Sequence, residues 1–198
     1  MTFLIQQTLI YTIPLMIVAL AGVFAERSGI INIALDGIMI FGSFVGALSV
    51  YIMQSGDMLG GNTQLMYVIA MIVAAAAGAL FSLLLSFSAI NLKADQTIGG
   101  TALNMLAPAL TLLIVKIVSM QDRLSMPKAL GFIISNPDIK PVFKPFFDKM
   151  FISTYIVIAL FIILSIFLYT TKYGLRLRAC GEHPQAADSV GINVYKMR

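Results

Sequence analysis

Only a few polar side chains of this chain stand where they could bind a solute, and three of them lie inside apolar stretches. Asn32 and Asp36 are four residues apart in one stretch, and Asn104 lies in a later one. A carboxylate in hydrocarbon costs about 3 kcal/mol or more unless it faces protein or water. Because residues four apart share a helix face, Asn32 and Asp36 are expected to form one polar patch. All three are candidates for lining a translocation path.

Each of these residues also has a structural interpretation. Asp36 can cap the start of a half-helix, or it can pair with a basic residue such as Arg27. Asn104 can hydrogen-bond another helix, a role that we favour over a contact with substrate. For Asp36 the sequence leaves open a place on a translocation path, a role in bracing a discontinuous helix, and either of these structural roles.

Motifs for catalysis are missing from the sequence. His183 is the single histidine, so a histidine triad or a multi-histidine metal site cannot be built. Residues 99–101, Gly-Gly-Thr, lack the lysine of a phosphate-binding loop. Cys180 is the single cysteine, which excludes an intramolecular disulfide. We therefore expect no enzyme activity, no cofactor and no metal.

The composition is typical of a membrane protein. Hydrophobic residues make up 59% of the 198 residues and charged residues 11%, whereas a soluble domain has about 25% charged residues. The net charge of +4 is explained by Lys and Arg that hold helix ends at the lipid interface, with no need for nucleic acid as a partner. We expect a multi-pass protein of a bacterial inner or plasma membrane.

Five apolar stretches predict the architecture. They cover approximately residues 3–25, 30–53, 65–90, 98–120 and 151–170. The sequence thus predicts an all-α, polytopic transmembrane helical bundle. We expect about five to six membrane segments, because the glycine-rich stretch 30–53 can be broken and add a partial pass. Residues 121–150 are expected to form an ordered loop or a short interfacial helix, and the side of the membrane that holds the N-terminus is left open.

Small residues at helical spacing predict close packing between helices. Within lipid, small side chains let two helix backbones approach each other. The pattern recurs every four residues at Ala70, Ala74, Gly78, Ser82 and Ser86, and again at Gly42 and Gly46.

The polar, basic tail contains start and stop signals for a short helix. Pro184 suits the first position of a helix and Gly191 the position just past its end. Ala186 and Val190 are four apart on one side, and Glu182 near the start complements the helix dipole. Because so short a helix is not stable alone, we expect it to lie in a groove of a partner protein. We divide the chain into a transmembrane domain, residues 1–171, and a cytoplasmic loop, residues 172–198.

Two segments resemble motifs of a known family. Residues 174–192, from Gly174-Leu175-Arg176 to Gly191-Ile192, strongly resemble the cytoplasmic coupling loop of ABC importer permeases of the branched-chain amino acid, ribose and nucleoside class. Residues 26–37, Glu-Arg-Ser-Gly-Ile-Ile-Asn-Ile-Ala-Leu-Asp-Gly, look like the N-terminal signature of that family. Both are most similar to permeases of general nucleoside or simple sugar transport systems.

The resemblance implies a mechanism and a set of partners. Two permease subunits would enclose a path in the membrane lipid, cytoplasmic ABC ATPase subunits would power it, and an extracytoplasmic substrate-binding protein would deliver a nucleoside or sugar. Asn32 and Asp36 would lie near the central path. The residues implied to contact the ATPase are Gly181, Glu182, His183, Pro184, Ala186, Ala187, Val190 and Gly191.

Two departures from the family keep alternatives open. The family usually has Glu where this chain has Asp36, which shortens the reach of the carboxylate. Family members are also longer, so we expect a C-terminally truncated chain, with a non-transporting fragment as one alternative. A secondary transporter or channel is another, but Asp36 is the one convincing intramembrane ionisable residue for it. A membrane enzyme is disfavoured by the missing catalytic motifs.

Overall fold

The computed structural model describes residues 2–56, 63–120, 124, 133–134 and 150–197. Over these residues the regular secondary structure is helical apart from one short strand pair. The helices are α1 (Thr2–Arg27), α2 (Leu35–Ser55), α3 (Thr63–Ile90), α4 (Gln96–Ser119), α5 (Ile152–Thr170), α6 (Lys172–Glu182), α7 (Pro184–Ser189) and α8 (Val194–Met197). Strands β1 (Ile133–Ile134) and β2 (Met150–Phe151) pair antiparallel. The all-α prediction is confirmed, whereas the prediction for residues 121–150 falls mostly outside the described residues.

Several helices are long and apolar enough to cross a membrane. Within the described residues three helices qualify, α2, α4 and residues 65–90 of α3. The pair α5–α6, bent by 68°, makes a fourth if it is counted as one broken span. Helix α1 has 26 residues, which at about 1.5 Å per residue exceeds a hydrocarbon core of about 30 Å. Large apolar side chains such as Ile72, Leu113 and Ile163 are more than half exposed, as lipid-facing residues are. The predicted multi-pass membrane architecture is confirmed.

The chain divides into two compact units. One consists of Met1–Gly29 with Gly131–Arg198, and the other of Ile30–Leu130. In the first unit, α1 packs against α5 and α6. In the second, α2 packs against α3 and α4. The predicted boundary at residue 171 coincides with the bend between α5 and α6, and the division at that point stays a prediction.

Helices α2 and α3 pack through their small residues. A Cβ atom added to Gly42 would lie 3.2 Å from the carbonyl oxygen of Ala74, and one added to Gly46 would lie 2.9 Å from the Ala74 Cβ and 3.4 Å from the Ala70 carbonyl oxygen. The Cα atom of Gly78 lies 3.5 Å from the same Cβ position on Gly42. The predicted close packing is confirmed for these five residues.

The core of the second unit lies where α2, α3 and α4 meet. Its buried members are Ala34, Phe81, Leu85, Leu103 and Ala107. Phe41 of α2 stacks on Phe81 with ring centroids 4.5 Å apart. Ala34 is fully buried although it precedes α2, so the core includes part of the non-helical chain that leads into that helix.

Candidate functional site

The chain is not helical where the sequence analysis placed Asn32. Residues 30–34, called here the lead-in segment, precede α2, which begins at Leu35. The Oδ1 atom of Asn32 accepts a hydrogen bond of 3.0 Å from the Ala34 N–H, and such local bonds of Asn compete with helix formation. The prediction that Asn32 and Asp36 share a helix face is therefore wrong.

Asn104 of α4 bonds the backbone on both sides of the start of α2. Its Nδ2 atom donates to the Ile33 carbonyl oxygen at 2.8 Å, and its Oδ1 atom accepts from the Gly37 N–H at 2.7 Å. The favoured interpretation of Asn104, a hydrogen bond to another helix, is what the structure shows. Its assignment to the substrate path stays a prediction.

Two further residues of α4 contact the lead-in segment. The Oε1 atom of Gln96 accepts from the Ile31 N–H at 2.7 Å. A Cβ atom added to Gly100 would lie 3.0 Å from the Ile33 Cβ and 3.3 Å from the Ala34 nitrogen, so a larger residue there would push against the lead-in segment. The sequence analysis missed Gln96 and considered Gly100 only as part of a phosphate loop. The signal was the four-residue spacing of Gln96, Gly100 and Asn104, which places them along one strip of α4.

Asp36 lies in the first turn of α2 and is exposed. A carboxylate there interacts favourably with the positive end of the helix dipole. The N-cap residue of α2 is Ala34, which provides no side-chain cap. Asp36 is thus anchored through its backbone in a packed helix start while its side chain stays accessible to solute or water.

The start of α4 is fixed by a cap of its own. The Asp95 carboxylate accepts hydrogen bonds from the Thr97 N–H at 2.7 Å and the Ile98 N–H at 3.3 Å. These bonds, chiefly the one from Thr97, lower the pKa of Asp95 below its ordinary value of 3.8. Because Gln96 is the residue after Asp95, this cap lies directly before the strip of α4 residues that contacts the lead-in segment.

The second candidate region begins at the bend between α5 and α6. Thr171 is the N-cap of α6; its Oγ1 atom accepts from the Gly174 N–H at 3.2 Å and donates to the Phe167 carbonyl oxygen at 2.6 Å. A Cβ atom on Gly174 would collide with the Leu168 carbonyl oxygen. The 68° bend therefore depends on a hydroxyl and a missing side chain.

Helix α7 has the boundaries that its sequence predicts. Pro184 is its first residue, and Gly191, with φ at +83°, lies just past its end. The Gly191 N–H donates to the Asp188 carbonyl at 2.9 Å and the Ile192 N–H to the Ala187 carbonyl at 3.1 Å. This pair of bonds is a Schellman motif, in which glycine tolerates the left-handed conformation. The predicted start and stop signals are confirmed.

The predicted ATPase-contact residues separate into two groups. Val190 is 78% exposed, and the other exposed members are Glu182, His183, Ala186 and Gly191, with Pro184 partly exposed. Ala187 is buried. A Cβ atom on Gly181 would collide with the Arg27 carbonyl oxygen at the end of α1. Gly181 and Ala187 thus pack inside their own unit, and the rest form an accessible surface, called here the α7 surface.

Basic groups lie beside the α7 surface. A cavity of about 310 Å³ next to it is lined by Arg176, Val190, Gly191, Ile192, Asn193, Lys196 and Met197. On α6, the Arg178 guanidinium lies 5.4 Å from the Tyr169 ring centroid and its Nη2 donates to the Tyr169 carbonyl at 3.3 Å.

Cys180 is fully buried. No cluster of three or more His, Cys, Asp or Glu side chains suited to a metal ion occurs in the part of the chain that the structure describes.

Comparisons with known proteins agree with this arrangement. Residues 4–198 match the family model described as branched-chain amino acid transport system / permease component. The chain is 43% identical over 201 residues to the guanosine ABC transporter permease protein NupQ of Bacillus subtilis, covering 100% of this chain and 61% of the relative. It is 36% identical over 199 residues to the nucleoside ABC transporter permease protein NupC of Lactococcus lactis, covering 98% and 61%.

A shorter match, 49% identical over 49 residues, is to the probable branched-chain amino acid transport permease protein LivH of Methanocaldococcus jannaschii, covering 25% of this chain and 16% of the relative. The chain spans about three fifths of the length of the two nucleoside relatives. No solved structure matches it.

Proposed function

Because the chain belongs to the branched-chain amino acid transport permease family, we propose that it forms membrane-spanning structure of the permease subunit of an ABC importer for nucleosides. The observation that carries the proposal is the similarity along the whole chain to a guanosine permease and a nucleoside permease. The family is a transport component, which agrees with the expectation that the chain is not an enzyme.

The α7 surface supports the proposed link to an ATPase. Val190 and Ala186 expose apolar groups on a helix of only six residues. Apolar side chains outside the lipid gain free energy when a partner covers them, about 25 cal/mol per Å² of buried apolar area. We propose that a cytoplasmic ABC ATPase subunit covers this surface. A second permease subunit and an extracytoplasmic substrate-binding protein complete the proposed transporter.

The start of α2 supports a role near the solute path. Asp36 is the exposed carboxylate of a helix start that is packed into the core through Ala34 and Gly37. Ionisable groups within membrane segments of transporters commonly face a water-filled path. We propose that Asp36 faces the path, with Asn32 next to it in the lead-in segment.

Uptake measurements test the proposed substrate class. Cells that lack their own nucleoside uptake would express the full-length permease with its ATPase and binding protein. We expect accumulation of labelled guanosine that other nucleosides compete away and that disappears when the ATPase cannot hydrolyse ATP. Competition by ribose or leucine but not by nucleosides would contradict the substrate class. Uptake that persists without ATP hydrolysis would favour the secondary transporter or channel.

A further inference from the structure

Helix α2 begins without a cap from its own N-cap residue. The first turn of a helix has N–H groups with no partner inside the helix, and a Ser, Thr, Asn or Asp at the N-cap normally accepts from one of them. Here the N-cap is Ala34, which has no polar side chain. The Gly37 N–H, at the third position of the helix, is nevertheless bonded, because its acceptor is the Oδ1 atom of Asn104 on α4.

The side-chain amide of Asn104 also bonds the non-helical chain before α2. The Ile33 carbonyl oxygen precedes α2 and accepts from Asn104 Nδ2 at 2.8 Å. One planar side chain thus accepts from the helix start and donates to the non-helical chain before it. An Asn amide is the smallest uncharged planar side chain with both an acceptor and a donor for this purpose.

The bonded groups lie beside the core of the unit, and Gly37 is itself buried. Ala34, between Ile33 and Leu35, is fully buried in the core with Leu103 and Ala107 of α4. A buried backbone group that loses its partner carries its full desolvation penalty. Without the amide, the buried Gly37 N–H loses its partner, so the first turn of α2, which contains Asp36, is expected to rearrange.

We propose that Asn104 is a positioning residue, an N-cap supplied by a neighbouring helix, that keeps the lead-in segment unwound and sets the place of Asp36. The expected effect on uptake rests on the proposed transport function, whereas the capping role of Asn104 at the start of α2 does not. Gln96, which accepts from the Ile31 N–H, and Gly100, which leaves room for Ile33, extend the same contact along α4. In the sequence, Asn104 lies 67 positions from Gly37 and 71 positions from Ile33.

Hydrogen exchange on the full-length transporter tests the cap without reference to transport. The Asn104→Leu variant has a side chain of comparable size with neither donor nor acceptor. We expect the Gly37 amide to exchange at least about fivefold faster, the factor that corresponds to loss of a typical N-cap. The matched control is Thr101→Val, because the Thr101 hydroxyl bonds only carbonyls of its own helix, those of Thr97 and Ile98. It should leave Gly37 exchange unchanged. Unchanged exchange in Asn104→Leu would overturn the proposal.

The Asn104→Asp variant separates hydrogen bonding from shape and keeps the test available if Asn104→Leu does not fold. An ionised carboxylate accepts from the Gly37 N–H but cannot donate to the Ile33 carbonyl, whereas the protonated acid can do both. We expect its nucleoside uptake, relative to wild type, to rise severalfold between about pH 7.5 and about pH 5.5. A ratio that stays flat across this range would overturn the positioning role.

Other titratable groups near position 104 could also respond to pH, so the test of Asn104→Asp needs a control for them. Asp36 in the first turn of α2 is the nearby carboxylate, Asp95 precedes α4 by one residue, and α3 carries no carboxyl, amine or imidazole side chain. Exchange of the Gly37 amide in Asn104→Asp is therefore also measured in the Asp36→Asn background, where the acid at position 104 is the remaining carboxyl near this amide. If neither the wild-type transporter nor any variant takes up nucleosides, the proposed function fails while the exchange result still decides the cap.

Discussion

The start of α2 and the loop that carries α7 differ in what contacts their polar and apolar groups. At α2 the Gly37 N–H of the first turn is bonded inside the unit by Asn104, which also bonds the Ile33 carbonyl oxygen. Gln96 bonds the Ile31 N–H of the lead-in segment. At α7 the C-terminal end of the helix is closed by its own chain, and apolar Val190 is left 78% exposed. The first arrangement fixes a position, and the second offers a surface. This difference separates the proposed positioning site from the proposed docking site within one chain.

Glycine has different uses in the two regions. At Gly100, and at Gly181 behind the α7 surface, the missing side chain makes room for another segment of backbone. At Gly191 nothing lies within 4 Å of an added Cβ atom, and the requirement is the φ of +83°. Substitutions at the three positions should consequently differ in severity.

The largest effect is expected at Gly181. A Cβ atom there collides with the Arg27 carbonyl oxygen, so Gly181→Ala should displace α6 from the end of α1 and abolish folded, assembled transporter. The matched substitution Gly191→Ala should cost only about 1–2 kcal/mol, the penalty of the left-handed conformation. Thermal unfolding in detergent and the yield of monodisperse protein measure both. Equal melting temperatures for the two variants would show that the close contact at Gly181 is unimportant.

A large but local effect is expected on the α7 surface. The double variant Ala186→Asp, Val190→Asp places two charges on exposed positions. It should reduce the co-purifying ATPase by about tenfold or more, because a charge buried in an interface without a partner is costly, while the melting temperature of the permease stays near wild type.

The control is Gln185→Asp with Ser189→Asp, two exposed residues that are also four apart on α7. They add the same charge on another side of the helix. If both double variants lose the ATPase equally, the effect is one of net charge and not of the Ala186 and Val190 surface.

A severalfold effect is expected at Asp36. The Asp36→Asn variant keeps the size of the side chain but removes its charge, so nucleoside uptake should fall while Gly37 remains bonded to Asn104 and the fold is kept. Asp36→Glu keeps the charge and should retain most uptake. Normal transport by Asp36→Asn would make the carboxylate a structural feature of the helix start.

The smallest effect is expected at Asp95. Its pKa is lowered by hydrogen bonds from Thr97 and Ile98, so its ionised form stabilises the fold. This contribution is fully present above the ordinary value of 3.8 and is lost as the pH falls through the lower pKa of the folded state. Asp95→Ala should slightly lower the melting temperature at neutral pH, and the difference from wild type should shrink below about pH 4. A difference that is constant with pH would contradict an ionic cap.

Local features of the structure were predictable from the sequence. Pro184 and Gly191 mark the ends of α7 because both signals act within their own turn. The small residues around Ala74 predicted close packing because helical periodicity alone places them on one face. The apolar stretches predicted the membrane helices because their length and composition are what a hydrocarbon core requires.

Features that depend on distant residues were not predictable in this way. The apolar pattern continues through Ile33 and Ala34, so the stretch looked helical, and the break is stabilised by Asn104 from 67 and 71 positions away. Gly181 was assigned to the ATPase contact because its neighbours in sequence resemble the family's coupling loop. Its contact with Arg27 joins segments that only the fold brings together.

A photo-crosslink from position 190 tests the central claim most directly. A photoreactive side chain replaces Val190 in the full-length transporter with its ATPase, and the control replaces Leu113, which is 57% exposed on the apolar helix α4. If the α7 surface couples this permease to its ATPase, illumination should join the two proteins from position 190 and not from position 113. The absence of a crosslink from position 190 in a transporter that takes up nucleosides would contradict that coupling.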